Sequence, residues 1–204
     1  MSTTIWDRIE NGRSRWDVLC HPLYRRWSAG ELTVEELGRY SGQYRHAVEA
    51  IATMSAAAAE AAPERGELSR HADEERSHLR LWDGFVAAVG GRTDAAPTPE
   101  TELCARAWTA DDGLLAYLAR LYAIESGQPA ISRTKREGLA RFYGIDGGAA
   151  TAYFRVHESR DEAHAAEARD LIEELVPAGS EQEDAVVVAA ESAFRANWRL
   201  LDGV

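Results

Sequence analysis

Between Tyr153 and Glu167, three side chains of metal-binding type stand at spacings of four and three residues: His157, Asp161 and His164. An α-helix turns about 100° per residue, so these three fall within roughly 60° of one another on one helix face. Two imidazoles and a carboxylate are donors that suit iron, manganese or zinc. The same segment carries Glu158, Arg160, Glu162 and Glu167, so a solvated helix face is the competing reading. The choice depends on whether the rest of the chain supplies further ligands.

Glu75-Arg-Ser-His78 places a carboxylate and an imidazole at i and i+3, which share a helix face, and Glu74 to His78 gives the equally feasible i, i+4 spacing. Helical carboxylate-bridged dimetal sites recur with the Glu-x-x-His pair. Taken alone, Asp73-Glu-Glu-Arg76 would read as a solvated face. Glu125 follows the apolar run Leu-Tyr-Ala-Ile, which would bury its carboxylate, and a buried charge needs a counter-charge. The combined set is Glu74 or Glu75 with His78, Glu125, His157, Asp161 and His164, drawn from three helices. Two divalent cations carry four positive charges, so three carboxylates would leave the site slightly cationic and open to dioxygen or an anionic oxo group. A structural zinc site closes with four ligands. Six ligands without cysteine favour a redox pair, Fe/Fe, Fe/Mn or Mn/Mn, among which these ligand types do not choose.

Such a set has to be positioned by helices, and nearly every segment reads as one. Trp16, Leu19, Leu23 and Trp27 predict a helix over 14–28, stopped by Gly30. Thr33-Val-Glu-Glu36 reads as a capping box opening a helix to about Ala62, with Tyr40, Tyr44, Val48, Ile51 and Met54 on its inner face. Pro63 suits the first turn of a third helix, which carries Glu74, Glu75, His78, Leu81, Trp82 and Phe85 to a Gly90-Gly91 stop. Further helices are expected near 99–109, from an Asp111-Asp112 cap to Glu125, and past Gly127 and Pro129 through Lys135 to Phe142. Glycines 144, 147 and 148 precede a helix over about 149–175 that holds the His157 set. Pro177 and Gly179 end it, and Ser180-Glu-Gln-Glu183 reads as a second capping box. Strand-like alternation is absent, so the expectation is an all-α fold of seven or eight helices in a single domain over 1–204.

Composition narrows the function classes. With 23 basic and 34 acidic residues the net charge is −11, which disfavours nucleic acid or an anionic membrane as partner. Two cysteines are too few for a disulfide framework or a thiolate zinc site. With neither an apolar signal core nor a run of transmembrane length, the expected location is the cytoplasm.

The order Glu, His, then Glu, then His-x3-Asp-x2-His resembles the haem-oxygenase-like dimetal oxidases, relatives of the TenA and pyrroloquinoline-quinone-synthesis folds. Within that group the chain is most similar to the self-sacrificing p-aminobenzoate synthases of the chlamydial death-domain-associating type. The resemblance covers most of the chain. It runs from Leu23-Tyr24-Arg-Arg-Trp27-Ser-Ala-Gly-Glu-Leu-Thr33 through Asp73-Glu-Glu75, His78-Leu-Arg-Leu-Trp82 and Glu125-Ser-Gly-Gln-Pro129 to Tyr153-Phe154 and the His157 set. It implies that Tyr24 is the source of the product ring and that Lys135 is the amino donor. It also implies that Tyr40 and Tyr153 stand near a dimetal, dioxygen-dependent centre fed by a reductant, and that a homodimer is possible. Residue type alone would make Tyr24 and Tyr40 core aromatics and Lys135 an exposed lysine. Two departures stand out: Ile124 replaces the family's tyrosine before the middle Glu, and the linker between the first Glu and its His is three residues shorter. Two other expectations remain beside it: a multiple-turnover oxygenase acting on an external small molecule, and a protein-interaction module with a vestigial site.

Overall fold

The computed structural model describes residues 4–204, which form nine α-helices and one 3₁₀ turn. The helices are α1 (Ile5–Arg15), α2 (Pro22–Ala29), α3 (Val34–Ala61), α4 (Gly66–Ala88), α5 (Pro99–Trp108), α6 (Leu114–Glu125), α7 (Gln128–Tyr143), α8 (Ala149–Leu175) and α9 (Glu181–Asp202). The all-α expectation holds, and the long helix expected over 149–175 is α8. None of the described helices is long and apolar enough to cross a membrane.

The N-terminal part differs from the expected helix over 14–28. A helix running through Pro22 would lose a backbone hydrogen bond and set the ring against the carbonyl four residues earlier. The chain instead stops α1 at Arg15, makes a 3₁₀ turn at Val18–Cys20, and restarts with Pro22 in the first turn of α2, where no N–H is needed. His21 caps that start, its Nδ1 accepting from the Leu23 N–H at 3.1 Å. Helix α1, not anticipated from the sequence, is capped reciprocally by the side chains of Thr4 and Asp7.

Three helix starts also depart from expectation. Pro63 lies in a turn ahead of α4 rather than in its first turn. Gly113, not Asp111 or Asp112, caps α6, because Asp111 accepts from Tyr117 Oη at 2.7 Å and Asp112 pairs with the buried Arg120. Ser180 precedes α9 without a side-chain cap, while Glu183 accepts the Gly179 N–H at 2.9 Å. The Thr33–Glu36 capping box on α3 forms as read.

Helix α8 packs against α4, α6 and α7, and α3 lies along α4. Gly84 permits the close crossing of α4 and α8, since a Cβ there would meet the Ala149 carbonyl oxygen at 2.9 Å. The side chains on the facing surfaces of α4 and α8 are thereby brought together. The core is strongly aromatic, with Tyr24, Trp27, Tyr40, Tyr44, Trp82, Phe85, Tyr153 and Phe154 fully enclosed.

Candidate metal centre

Helix α4 presents His71, Glu75 and His78 at i, i+4 and i+7, which share one face. Helix α8 presents His157, Asp161 and His164 opposite them, and Glu125 closes the cluster from the last residue of α6. Helix α6 is buried on all sides from Tyr117 to Glu125, so its terminal carboxylate enters the interior.

Two groups of donor atoms converge, each within 4.8 Å: His71, Glu75, Glu125 and His164 in one, Glu75, His78 and His157 in the other. Glu75 belongs to both. Its Oε1 lies 3.0 Å from His78 Nδ1 and 3.8 Å from His71 Nε2, and its Oε2 lies 3.9 Å from His157 Nε2. His71 Nε2 approaches Glu125 Oε1 to 2.8 Å, yet neither atom has a hydrogen-bond partner of proper geometry. Glu75 Oε2, both Glu125 oxygens, both Asp161 oxygens and His157 Nε2 are likewise buried without partners. Native proteins leave few buried polar atoms unpaired, so this concentration fits donors arranged for cations. His157 Nδ1 sits 2.8 Å from the Tyr153 carbonyl, to which it can donate, leaving Nε2 free as a ligand atom.

The charges tell the same story. Burial pushes the Asp161 carboxyl up, with Glu125 and Glu75 adding to it, to about 10. Glu125 is raised by burial against the opposing pull of His71. Burial would lower His71, but Glu125 lifts it to about 9. Burial also works against Glu75 ionising, and His157 and His78 reverse this, holding its carboxyl well below the usual range. His164 is lowered by burial and by His71. Such a crowd of acids and imidazoles takes up protons to balance charge, and divalent cations would replace those protons.

A second cluster lies beside the first. The Lys135 side chain is completely buried, and its Nζ has no hydrogen-bond or ion-pair partner among the described residues. It stands 4.5 Å from the Tyr44 ring centroid, 5.4 Å from that of Tyr40, and 5.5 Å from those of Tyr24, Trp82 and Phe154. Burial lowers its pKa from 10.5 to about 7. Tyr24 Oη and Tyr40 Oη are hydrogen-bonded at 3.1 Å. Aromatic rings join the two clusters: Tyr44 to Trp82 at 5.1 Å between centroids, Trp82 to Tyr153 at 4.8 Å, and Tyr153 stacked on His157 at 3.8 Å.

The family model described as iron-containing redox enzymes, of the haem-oxygenase type, matches residues 20–198. The chain belongs to that redox-enzyme family. It is 31% identical to a 4-aminobenzoate synthase of Chlamydia muridarum, over 99% of this chain and 90% of the relative. A 4-aminobenzoate synthase of Nitrosomonas europaea is 30% identical, over 92% of this chain and 85% of that protein. A TenA homologue from Pseudomonas syringae superposes with a TM-score of 0.81 at 20% identity, covering 99% of this chain and 93% of the other, and so shares the fold.

In this haem-oxygenase-like redox enzyme, Glu75, His78, Glu125, His157 and His164 meet in the convergent groups. Asp161 is buried beside them, its Oδ1 3.8 Å from His164 Nδ1, but it lies outside both groups. Glu74 is half-exposed at the rim, its Oε2 3.2 Å from His164 Nε2. His71, passed over in the sequence reading, is a full member. The i, i+4, i+7 series on α4 was the signal that could have found it. Lys135 is enclosed rather than exposed, because α7 turns it into the aromatic layer between α2, α3, α4 and α8.

Proposed function

We propose that this protein is a dioxygen-dependent 4-aminobenzoate synthase that takes the product ring from its own Tyr24 and the nitrogen from Lys135. The observation that carries this reading is the unpaired, fully buried Lys135 amine among rings that include Tyr24, next to a cluster of metal-type ligands. Similarity to two 4-aminobenzoate synthases at about 30% identity over nearly the whole chain supports the product.

Glu75, which belongs to both donor groups, would help to hold two divalent redox cations, Fe/Fe, Fe/Mn or Mn/Mn. His78 and His157 would complete one position, and His71, Glu125 and His164 the other, with Asp161 and Glu74 as adjoining carboxylates. The cations, kept reduced by an external reductant, would supply the oxidising power of dioxygen.

The remaining chemistry falls to the chain's own residues. Tyrosine carries Cβ and its hydroxyl para to one another, as 4-aminobenzoate carries its carboxyl and amine. A ring taken from Tyr24 therefore breaks the Cα–Cβ bond and keeps Cβ as the carboxyl carbon, its oxidation carried by dioxygen. At the far ring carbon the phenol oxygen leaves as water and is replaced by nitrogen freed by cleavage of the Lys135 Nζ–Cε bond. Burial keeps a good fraction of Lys135 neutral near pH 7, so its nitrogen lone pair is available. The 3.1 Å hydrogen bond between Tyr40 Oη and Tyr24 Oη holds the reacting ring's oxygen in place. Tyr153 and Trp82 hold aromatic contact between the cage and His157.

The test is Tyr24→Phe, loaded with metal, reduced and exposed to air. Product should fall to background while the protein still binds two equivalents of metal. Undiminished product would point to an external ring source. Absence of bound redox metal in the wild-type protein would point instead to an interaction module.

A further inference from the structure

A cavity of about 220 Å³ opens between the α1–α2 connection, the α6–α7 junction and α9. This is below the roughly 300–1,000 Å³ of clefts that hold drug-sized ligands, and suits a single substituted ring. Its walls are mostly apolar, with Val18, Leu19, Ile124, Ile131 and Phe194 among them. Three lining side chains carry N–H groups: Trp16, Asn197, and Arg13, whose Nε and Nη2 are paired with Glu10 so that Nη1 is left to the cavity. Trp16 Nε1 is buried without a hydrogen-bond partner among the described residues. The one lining acid, Asp17, is engaged by its own turn, its Oδ1 accepting from the Leu19 N–H at 3.0 Å.

The cavity adjoins the Lys135 cage through α7, which lines the one and carries the lysine of the other, and through the connection that leads into α2. Val18 and Leu19 lie just ahead of Tyr24, and Ile131 is one helical turn from Lys135 on α7. Asn197 lies close enough to the Tyr44 hydroxyl to lower its pKa against the raising effect of burial, and Tyr44 holds the ring nearest Lys135 Nζ. Tyr24 itself is 1% exposed, so a molecule formed from it has to cross a wall of the core to reach solvent.

We infer that this cavity binds a small aromatic carboxylate, and that it is the site 4-aminobenzoate occupies on leaving the cage. The apolar walls take the ring. The unpaired Trp16 N–H and the Nη1 group of Arg13, whose other two nitrogens hold Glu10, take the carboxylate, which an amine alone would not satisfy. The identity of the occupant rests on the function proposed above; the site's chemistry does not.

Equilibrium dialysis of the metal-free protein, in which no oxidation occurs, tests the site apart from the reaction, with 4-aminobenzoate, benzoate and aniline as probes. The expected result is saturable one-to-one binding of both carboxylates and none of aniline. Trp16→Phe should weaken that binding about tenfold, the worth of one hydrogen bond to a charged acceptor. Ala130→Phe, which enlarges an exposed lining residue without disturbing the core, should abolish it. Circular dichroism of both variants checks folding. No saturable binding, equal binding of aniline, or binding unchanged in both variants overturns the inference. If the ring instead comes from outside the protein, carboxylate binding here persists while Tyr24 stays intact, so the two failures are distinguishable.

Discussion

Replacing Lys135 with methionine should stabilise the protein at neutral pH, and the gain should vanish in alkali. The side chain is fully enclosed with no anion against its Nζ, and burial lowers its pKa from 10.5 to about 7. At 1.36 kcal/mol per pH unit that difference amounts to roughly 5 kcal/mol. The five surrounding rings attract the ammonium form at about 0.5–1 kcal/mol each, which brings the expected gain at pH 7 to about 0–2.5 kcal/mol. The folded-state value lies below the unfolded one, so the folded protein binds fewer protons than the unfolded chain between pH 7 and 10.5. The penalty on the wild type is therefore full below pH 7, shrinks as pH rises through that window, and is gone above it. Urea denaturation of metal-free wild type and Lys135→Met at pH 6.5, 8 and 9.5, followed by circular dichroism, measures the difference. Methionine matches the length of the lysine stem and keeps the packing, so the other titrating groups cancel between the two proteins. A variant less stable than wild type at pH 6.5, or a gap that does not change with pH, would refute a neutralised, unpaired amine.

Three further outcomes follow from the same geometry. Glu75→Ala should lose both metal equivalents by elemental analysis, because Glu75 faces both donor groups, whereas Glu74→Ala at the half-exposed rim should keep them. Trp82→Leu should retain two equivalents of metal yet convert Tyr24 at least about tenfold less, measured by peptide mass, because its indole links Tyr44 to Tyr153. Gly138→Ala should lower the melting temperature by about 3–10 °C, from an overpacking cost of about 1–3 kcal/mol. A Cβ there would stand 2.5 Å from Trp27 Cδ1, and Trp27 donates to the Lys135 carbonyl at 3.1 Å.

Much of the metal cluster could be read from spacing, because a helix fixes which residues share a face. His157 and His164 on α8 and the Glu75–His78 pair on α4 needed no knowledge of tertiary structure. The apolar approach to Glu125 signalled burial of its carboxylate, which is 3% exposed. His71 was passed over because a histidine one turn ahead of a glutamate is common on solvated helices, and only the packing of α8 against α4 separates the cases. The choice between Glu74 and Glu75 likewise depends on the rotation of α4 in the fold, about 100° between neighbours. Lys135 was the least legible position. In Ile131-Ser-Arg-Thr-Lys-Arg136 it sits among residues that are themselves polar, and its enclosure comes from rings on α2, α3, α4 and α8. At the N-terminus the i, i+3, i+4 stripe of Trp16, Leu19, Leu23 and Trp27 outweighed Pro22, and the backbone decided otherwise.

Protein grown with ring-deuterated tyrosine and nitrogen-15 lysine, then loaded with metal, reduced and exposed to air in unlabelled buffer, puts the self-sacrificing reading to its most direct test. Mass spectrometry should find 4-aminobenzoate carrying both labels, together with a peptide in which residue 24 has lost its side chain. Unlabelled product, or a Tyr24 peptide of unchanged mass beside abundant product, would contradict it.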